Sequence, residues 1–99
     1  MRPLAQRDEG HVYHLFVVRA NERDALQAHL AASGIETLIH YPIPLPQHRA
    51  FESFGRGACP VAARATRDIL SLPLHPRLAD TDVERISSAV NEFLEARIN

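Results

Sequence analysis

The sequence predicts an α+β fold of two layers, a small mixed three-stranded sheet with helices mainly on one face. Three observations carry that expectation. Ninety-nine residues, 45% of them apolar and 23% charged, are enough for one modest globular core. Short runs of β-branched and aromatic residues are interspersed with longer stretches of helical periodicity. Their order is strand, helix, strand, loop, two helices, short strand, helix, which suits helices packed on a single sheet. With no internal repeat, low-complexity tract or linker, residues 1–99 are read as a single domain.

The first strand is expected over His11 to Val18, HVYHLFVV, between Gly10 and the polar Asn21-Glu22-Arg23-Asp24. One face would carry Val12, His14, Phe16 and Val18, the other Tyr13, Leu15 and Val17. Both faces are mainly apolar, and the second has nothing left in the chain to cover it. A helix from about Glu22 to Ser33 follows, with Asn21 as N-cap, Leu26 and Leu30 on one side, and Gly34 as terminator. Ile35 to Ile39 alternate as a second strand.

From His40 to His48 the chain reads HYPIPLPQH, and its prolines at 42, 44 and 46 exclude a helix or a central strand. A short helix around Gln47 to Phe54, with Phe51 and Phe54 on one side, leads to Gly55 and Gly57. Pro60 opens a longer helix to Leu70, with Val61, Ala65 and Ile69 facing inward and Arg64 and Arg67 solvated. Ser71 to Leu74 can give only a short edge strand, because Pro73 lacks an amide donor. The last helix is expected from Asp82 to about Arg97, behind a Thr81/Glu84 capping box. Its apolar stripe is Val83, Ile86, Val90, Phe93 and Leu94.

A formal net charge of −1, scattered along the chain, gives no basic stripe for nucleic acid and no polybasic segment for a membrane. No apolar run approaches a spanning helix, and the first ten residues lack the apolar core of a signal peptide, so a cytoplasmic location is expected. The lone Cys59 excludes an internal disulfide and has no nucleophile signature around it. All eleven cations are arginine and there is no lysine. The chain therefore has no side-chain amine to form a Schiff base, and a guanidinium cannot replace one.

Six histidines invite a metal reading, but His11 and His14 are at odd spacing on a strand and have no carboxylate or thiol at ligand spacing. His29 is expected within a helix beside Leu30, as a residue at the boundary of core and solvent, and His75 in a loop. There is no nucleophilic triad, phosphate loop or isolated carboxylate pair. His40 and Tyr41 are left, at the end of a strand on a proline-stiffened loop. They either face a ligand or only pin the loop to backbone, and position alone weighs the two equally.

GIETLIHYPIPLPQ at Gly34 to Gln47, CPVAARATRDILSLPLHP at Cys59 to Pro76, and HVYHLFVV followed by ERDAL resemble the DegT/DnrJ/StrS family of nucleotide-sugar aminotransferases. The resemblance covers nearly the whole chain. It implies the small C-terminal domain of a fold-type I enzyme dependent on pyridoxal phosphate, without the large domain that bears the lysine and most cofactor contacts. It also implies amino-group transfer to a nucleotide-linked keto-sugar in the complete enzyme, at a dimer interface, with His40 and Tyr41 as substrate-side residues. No catalytic, cofactor-binding or metal-binding residue is assigned to this chain. Two departures stand out: Pro46 where the family commonly has a histidine, and Ala63 where it has an acidic residue. The alternative to an inactive aminotransferase segment is a stand-alone dimerisation or interaction module that uses the uncovered strand face. A small metal protein is the third reading.

Overall fold

The computed structural model describes residues 1–54 and 59–98. The helix expected around Leu26 and Leu30 forms as α1, Arg23–Ala32, with both leucines fully buried. Burial of two such side chains contributes about 3–6 kcal/mol before entropy is charged against it. Its N-cap is Glu22 rather than Asn21, and no side chain caps it. Gly34, at φ 77, takes the left-handed turn after the helix that a side chain would resist.

The sheet is antiparallel, not mixed, in the order β1–β2–β3, with β1 Arg2–Pro3, β2 Phe16–Arg19 and β3 Ile69–Leu72. The first predicted strand is thus shortened to its last third. Tyr13 sits at φ 49, in the left-handed region that no strand residue adopts, and its amide bonds to His11 Nδ1 instead of a neighbouring strand. Val12 is consequently solvent-exposed at 87% rather than inward. Tyr13 and Leu15 leave the strand and are half-buried, and the Tyr13 hydroxyl donates to Gln6 Oε1 at 2.9 Å.

Ile35 to Ile39 does not become a strand either. Only Leu38 reaches the sheet, through one bridge to Ser71. Ser71 N donates to Leu38 O at 2.7 Å, and Leu38 N to Ser71 O at 3.3 Å. The third strand is instead the N-terminal pair Arg2–Pro3, where Pro3 is tolerated because it lies on an edge.

The predicted helix before Phe54 is a 3₁₀ helix, Arg49–Phe54, and Gly55 and Gly57 lie outside the described residues. Helix α2, Pro60–Asp68, ends before Ile69, which begins β3; Val61, expected inward, is 81% exposed. Helix α3, Asp80–Ile98, starts two residues earlier than expected. The Asp82 carboxylate accepts from Ala79 N at 3.3 Å, so the Thr81/Glu84 box does not mark the start. Val83 accordingly lies on an exposed face.

The core lies between α1, α3 and one face of the sheet. Leu26, Leu30 and Ile35 meet Ala89, Val90 and Phe93 of α3 and Val18 and Leu70 of the sheet. Two arginines tie the layers together. Arg23, almost buried, donates through Nη1 to Thr66 O and Ile69 O at 2.9 and 3.0 Å, satisfying carbonyls where α2 turns into β3. Arg97 pairs with Glu22 at 2.8 Å and lies over the Phe93 ring, although a pair this exposed adds at most about 1 kcal/mol.

Candidate functional site

On the sheet face opposite Val18 and Leu70, register places Val17, Ser71 and Leu38 in one row. The two backbone bonds between Leu38 and Ser71 fix where the chain goes next. Two residues on, the His40 ring comes down on the Ser71 side chain, with Nδ1 2.8 Å from Oγ. Ser71 is 6% exposed, the one buried polar residue among the described residues, and this contact satisfies its hydroxyl. The His40–Tyr41 peptide is cis, and the Tyr41 ring stands edge-on to His40 at 5.4 Å.

The proline loop beyond is held mostly by its own backbone. Gln47 N donates to Pro44 O, His48 N to Leu45 O, and the His48 ring nitrogen Nε2 to Ile43 O at 3.1 Å. Pro44 is buried, whereas Tyr41, Ile43 and Leu45 are exposed. Pinning of this loop thus falls to His48 and the turn bonds as well as to His40.

His40 lines an open groove of about 1120 Å³ bordered by the end of β3, the start of α3 and the end of α1. Its polar walls include His14, Glu36, His75 and Arg85. Thr37 also lines it, and its buried hydroxyl has no partner among the described residues. The second nitrogen of His40 is likewise unpaired among those residues. If the Ser71 hydroxyl donates to Nδ1, Nε2 carries the proton and can donate; if Nδ1 donates to Oγ, Nε2 can accept. In either tautomer the imidazole offers one free, oriented polar atom.

Of the two predicted site residues, the structure puts His40 in the groove and leaves Tyr41 at its rim, 70% exposed and not among the lining residues. Sequence reasoning missed Ser71 and Thr37. A serine inside the apolar run Ile69–Leu72 was the one available signal. His29, expected within a helix at the boundary of core and solvent, is half-buried in α1: its ring donates to Ala89 O at 3.0 Å and faces Phe93. Among the described residues no group of three or more His, Cys, Asp or Glu could hold a metal ion, and no helix is long and apolar enough to cross a membrane. Pyridoxal phosphate does not fit this donor set as a covalently held group, since the sequence has no lysine.

Comparison with known proteins supplies the wider frame. The profile of the DegT/DnrJ/EryC1/StrS aminotransferase family matches residues 1–91. The chain is 41% identical over 91 residues to dTDP-3-amino-3,6-dideoxy-alpha-D-galactopyranose transaminase of Aneurinibacillus thermoaerophilus, covering 92% of this chain and 25% of that protein. It is 41% identical over 95 residues to dTDP-3-amino-3,4,6-trideoxy-alpha-D-glucose transaminase of Streptomyces venezuelae, covering 94% of this chain and 25% of the relative. Among solved structures, the aminotransferase TlmJ from Streptoalloteichus hindustanus superposes with a TM-score of 0.87 at 33% identity, over 99% of this chain and 27% of TlmJ. The chain spans about a quarter of the length of the curated relatives it matches. Over that quarter, sequence and fold agree, and the chain belongs to the DegT/DnrJ/EryC1/StrS aminotransferase family.

Proposed function

We propose that this chain is the small C-terminal domain of a nucleotide-sugar aminotransferase dependent on pyridoxal phosphate, a single domain that is inactive alone. In this reading a large domain outside the chain bears the lysine and holds the cofactor. The assembled enzyme transfers an amino group to a keto-sugar linked to a nucleotide, in the cytoplasm, as a homodimer. The observation that carries the reading is His40: one ring nitrogen is bound to a buried serine and the other, at a groove, has no partner among the described residues. Such an imidazole is pre-oriented for a substrate hydroxyl or carbonyl, because its rotamer is already fixed by the scaffold. Tyr41, beside it, is free to close over a ligand from the rim. The dTDP-sugars named for two relatives make such a sugar the first substrate to try.

This chain contributes orientation and desolvation, not covalent chemistry. The isolated chain is expected to form no internal covalent adduct with pyridoxal phosphate and to transaminate nothing. Borohydride reduction followed by peptide mapping checks this, with any adduct at the terminal amine set aside. A reduced adduct on an internal side chain, or sugar turnover by the chain alone, overturns the reading.

A second reading, a free-standing dimerisation or interaction module, is favoured by one observation. Leu38, Tyr41, Leu45 and Phe54 are large apolar side chains, each more than 60% exposed, in the segment 38–54. Both readings leave this surface covered in the assembled state, by the large domain in one and by a second partner in the other.

A further inference from the structure

At the other end of the sheet, two arginines stand face to face. Arg2 is directly opposite Arg19 in the β1–β2 register. Residues so paired share a sheet face with their Cβ atoms about 5 Å apart, where like charges repel. Arg19 has an answering carboxylate, Asp68, at 3.0 Å. Arg2 has none among the described residues, and neither does Arg64, which reaches the same place from α2.

These side chains, with Met1, Asn21 and Val61, line a recess of about 520 Å³. Among the side chains, three guanidinium groups against one carboxylate leave two positive charges uncompensated in a concave space. The recess shares no lining residue with the His40 groove, and Asp68, its nearest residue in sequence to Ser71, closes α2 before β3 begins.

We propose that this recess binds a phosphate group, either inorganic phosphate or the phosphate end of a small phosphomonoester. A phosphate at neutral pH carries a charge of about −1.5 to −2, which matches the excess. Its oxygens suit the fork of a guanidinium, and an anion between Arg2 and Arg19 converts a repulsive cross-strand pair into a bridged one. The Asn21 amide adds a neutral donor. The recess has the volume of a small-molecule pocket, where an acidic polymer would call for an open charged surface. The proposal stands apart from the aminotransferase reading and does not depend on it.

The test is an NMR titration of the full chain with inorganic phosphate and, separately, with glycerol phosphate, at ionic strength held constant with chloride. Saturable shifts are expected at Arg2, Arg19, Asn21 and Arg64. Arg2→Gln and Arg64→Gln should each weaken binding about tenfold, as loss of a charge-assisted hydrogen bond predicts. Arg77→Gln, exposed and outside the recess, should leave the affinity unchanged. Tighter binding of glycerol phosphate would identify an organic phosphate as the ligand, and tighter binding of inorganic phosphate the free anion. Thermal melting gives an independent readout: without phosphate at low salt, Arg2→Gln should raise the melting temperature by removing the repulsion. Unsaturable shifts, equal affinity in the arginine variants and the natural chain, a response only to an oligoglutamate peptide, or a lower melting temperature for Arg2→Gln would each overturn the proposal.

Discussion

Leu30→Ala is expected to remove about 2–5 kcal/mol of stability, as truncation of a fully buried leucine does. Leu30 has no solvent exposure and sits where α1 meets α3 and the sheet. Truncation removes its transfer energy and leaves a void that Val90 and Phe93, held on a long helix, cannot collapse to fill. Domains of this size have only about 5–10 kcal/mol to lose, so urea unfolding should show a clear fall in midpoint. Val83→Ala and Val61→Ala provide the contrast. Helical periodicity alone puts both on inward stripes, but the structure exposes them, so each should change stability by less than about 0.5 kcal/mol. If Val83→Ala costs as much as Leu30→Ala, the packing of α3 described above is wrong.

The second large effect is expected at His40, read in a complex with a matching lysine-bearing large domain. The bond to Ser71 means that His40→Ala leaves a buried hydroxyl unpaired, so stability should fall by about 1–3 kcal/mol whether or not the ring touches substrate. Melting alone therefore does not separate a ligand-facing histidine from a loop-pinning one. Ser71→Ala does separate them, because it deletes the same hydrogen bond yet keeps the imidazole and its free nitrogen. If Nε2 meets the sugar, kcat/KM for His40→Ala should fall below that of Ser71→Ala by a further 1–3 kcal/mol or so of transition-state stabilisation. Equal kinetics in the two variants would reduce His40 to scaffold. Tyr41→Phe should not alter the melting point, since its hydroxyl has no partner among the described residues; a kinetic loss there would mark a substrate contact.

Helix α1 was legible apart from its N-cap, because its signals are local: two leucines four apart and a glycine ready to take positive φ. The sheet was not. Arg2–Pro3 is too short to show any periodicity, and HVYHLFVV looks like one strand although Tyr13 turns the backbone out of the β region halfway along. In Ile35 to Ile39 the alternation is present, but just one residue finds a partner strand, and pairing is a long-range property. The candidate site divides in the same way. His40 was visible as a polar residue at the entrance to a stiff loop. Its hold on Ser71, 31 positions away, follows only from the Leu38 bridge that brings the two segments together.

The account rests on one claim, that this domain completes an aminotransferase whose lysine lies elsewhere. The direct measurement is sugar transamination in a mixture of this chain with a lysine-bearing large domain of the family that lacks the corresponding quarter, with each component also assayed alone. Turnover is predicted in the mixture only, accompanied by co-sedimentation of the two chains. A large domain equally active without this chain, or a mixture that stays silent while this chain sediments only with itself, would contradict the claim and leave the interaction module as the better description.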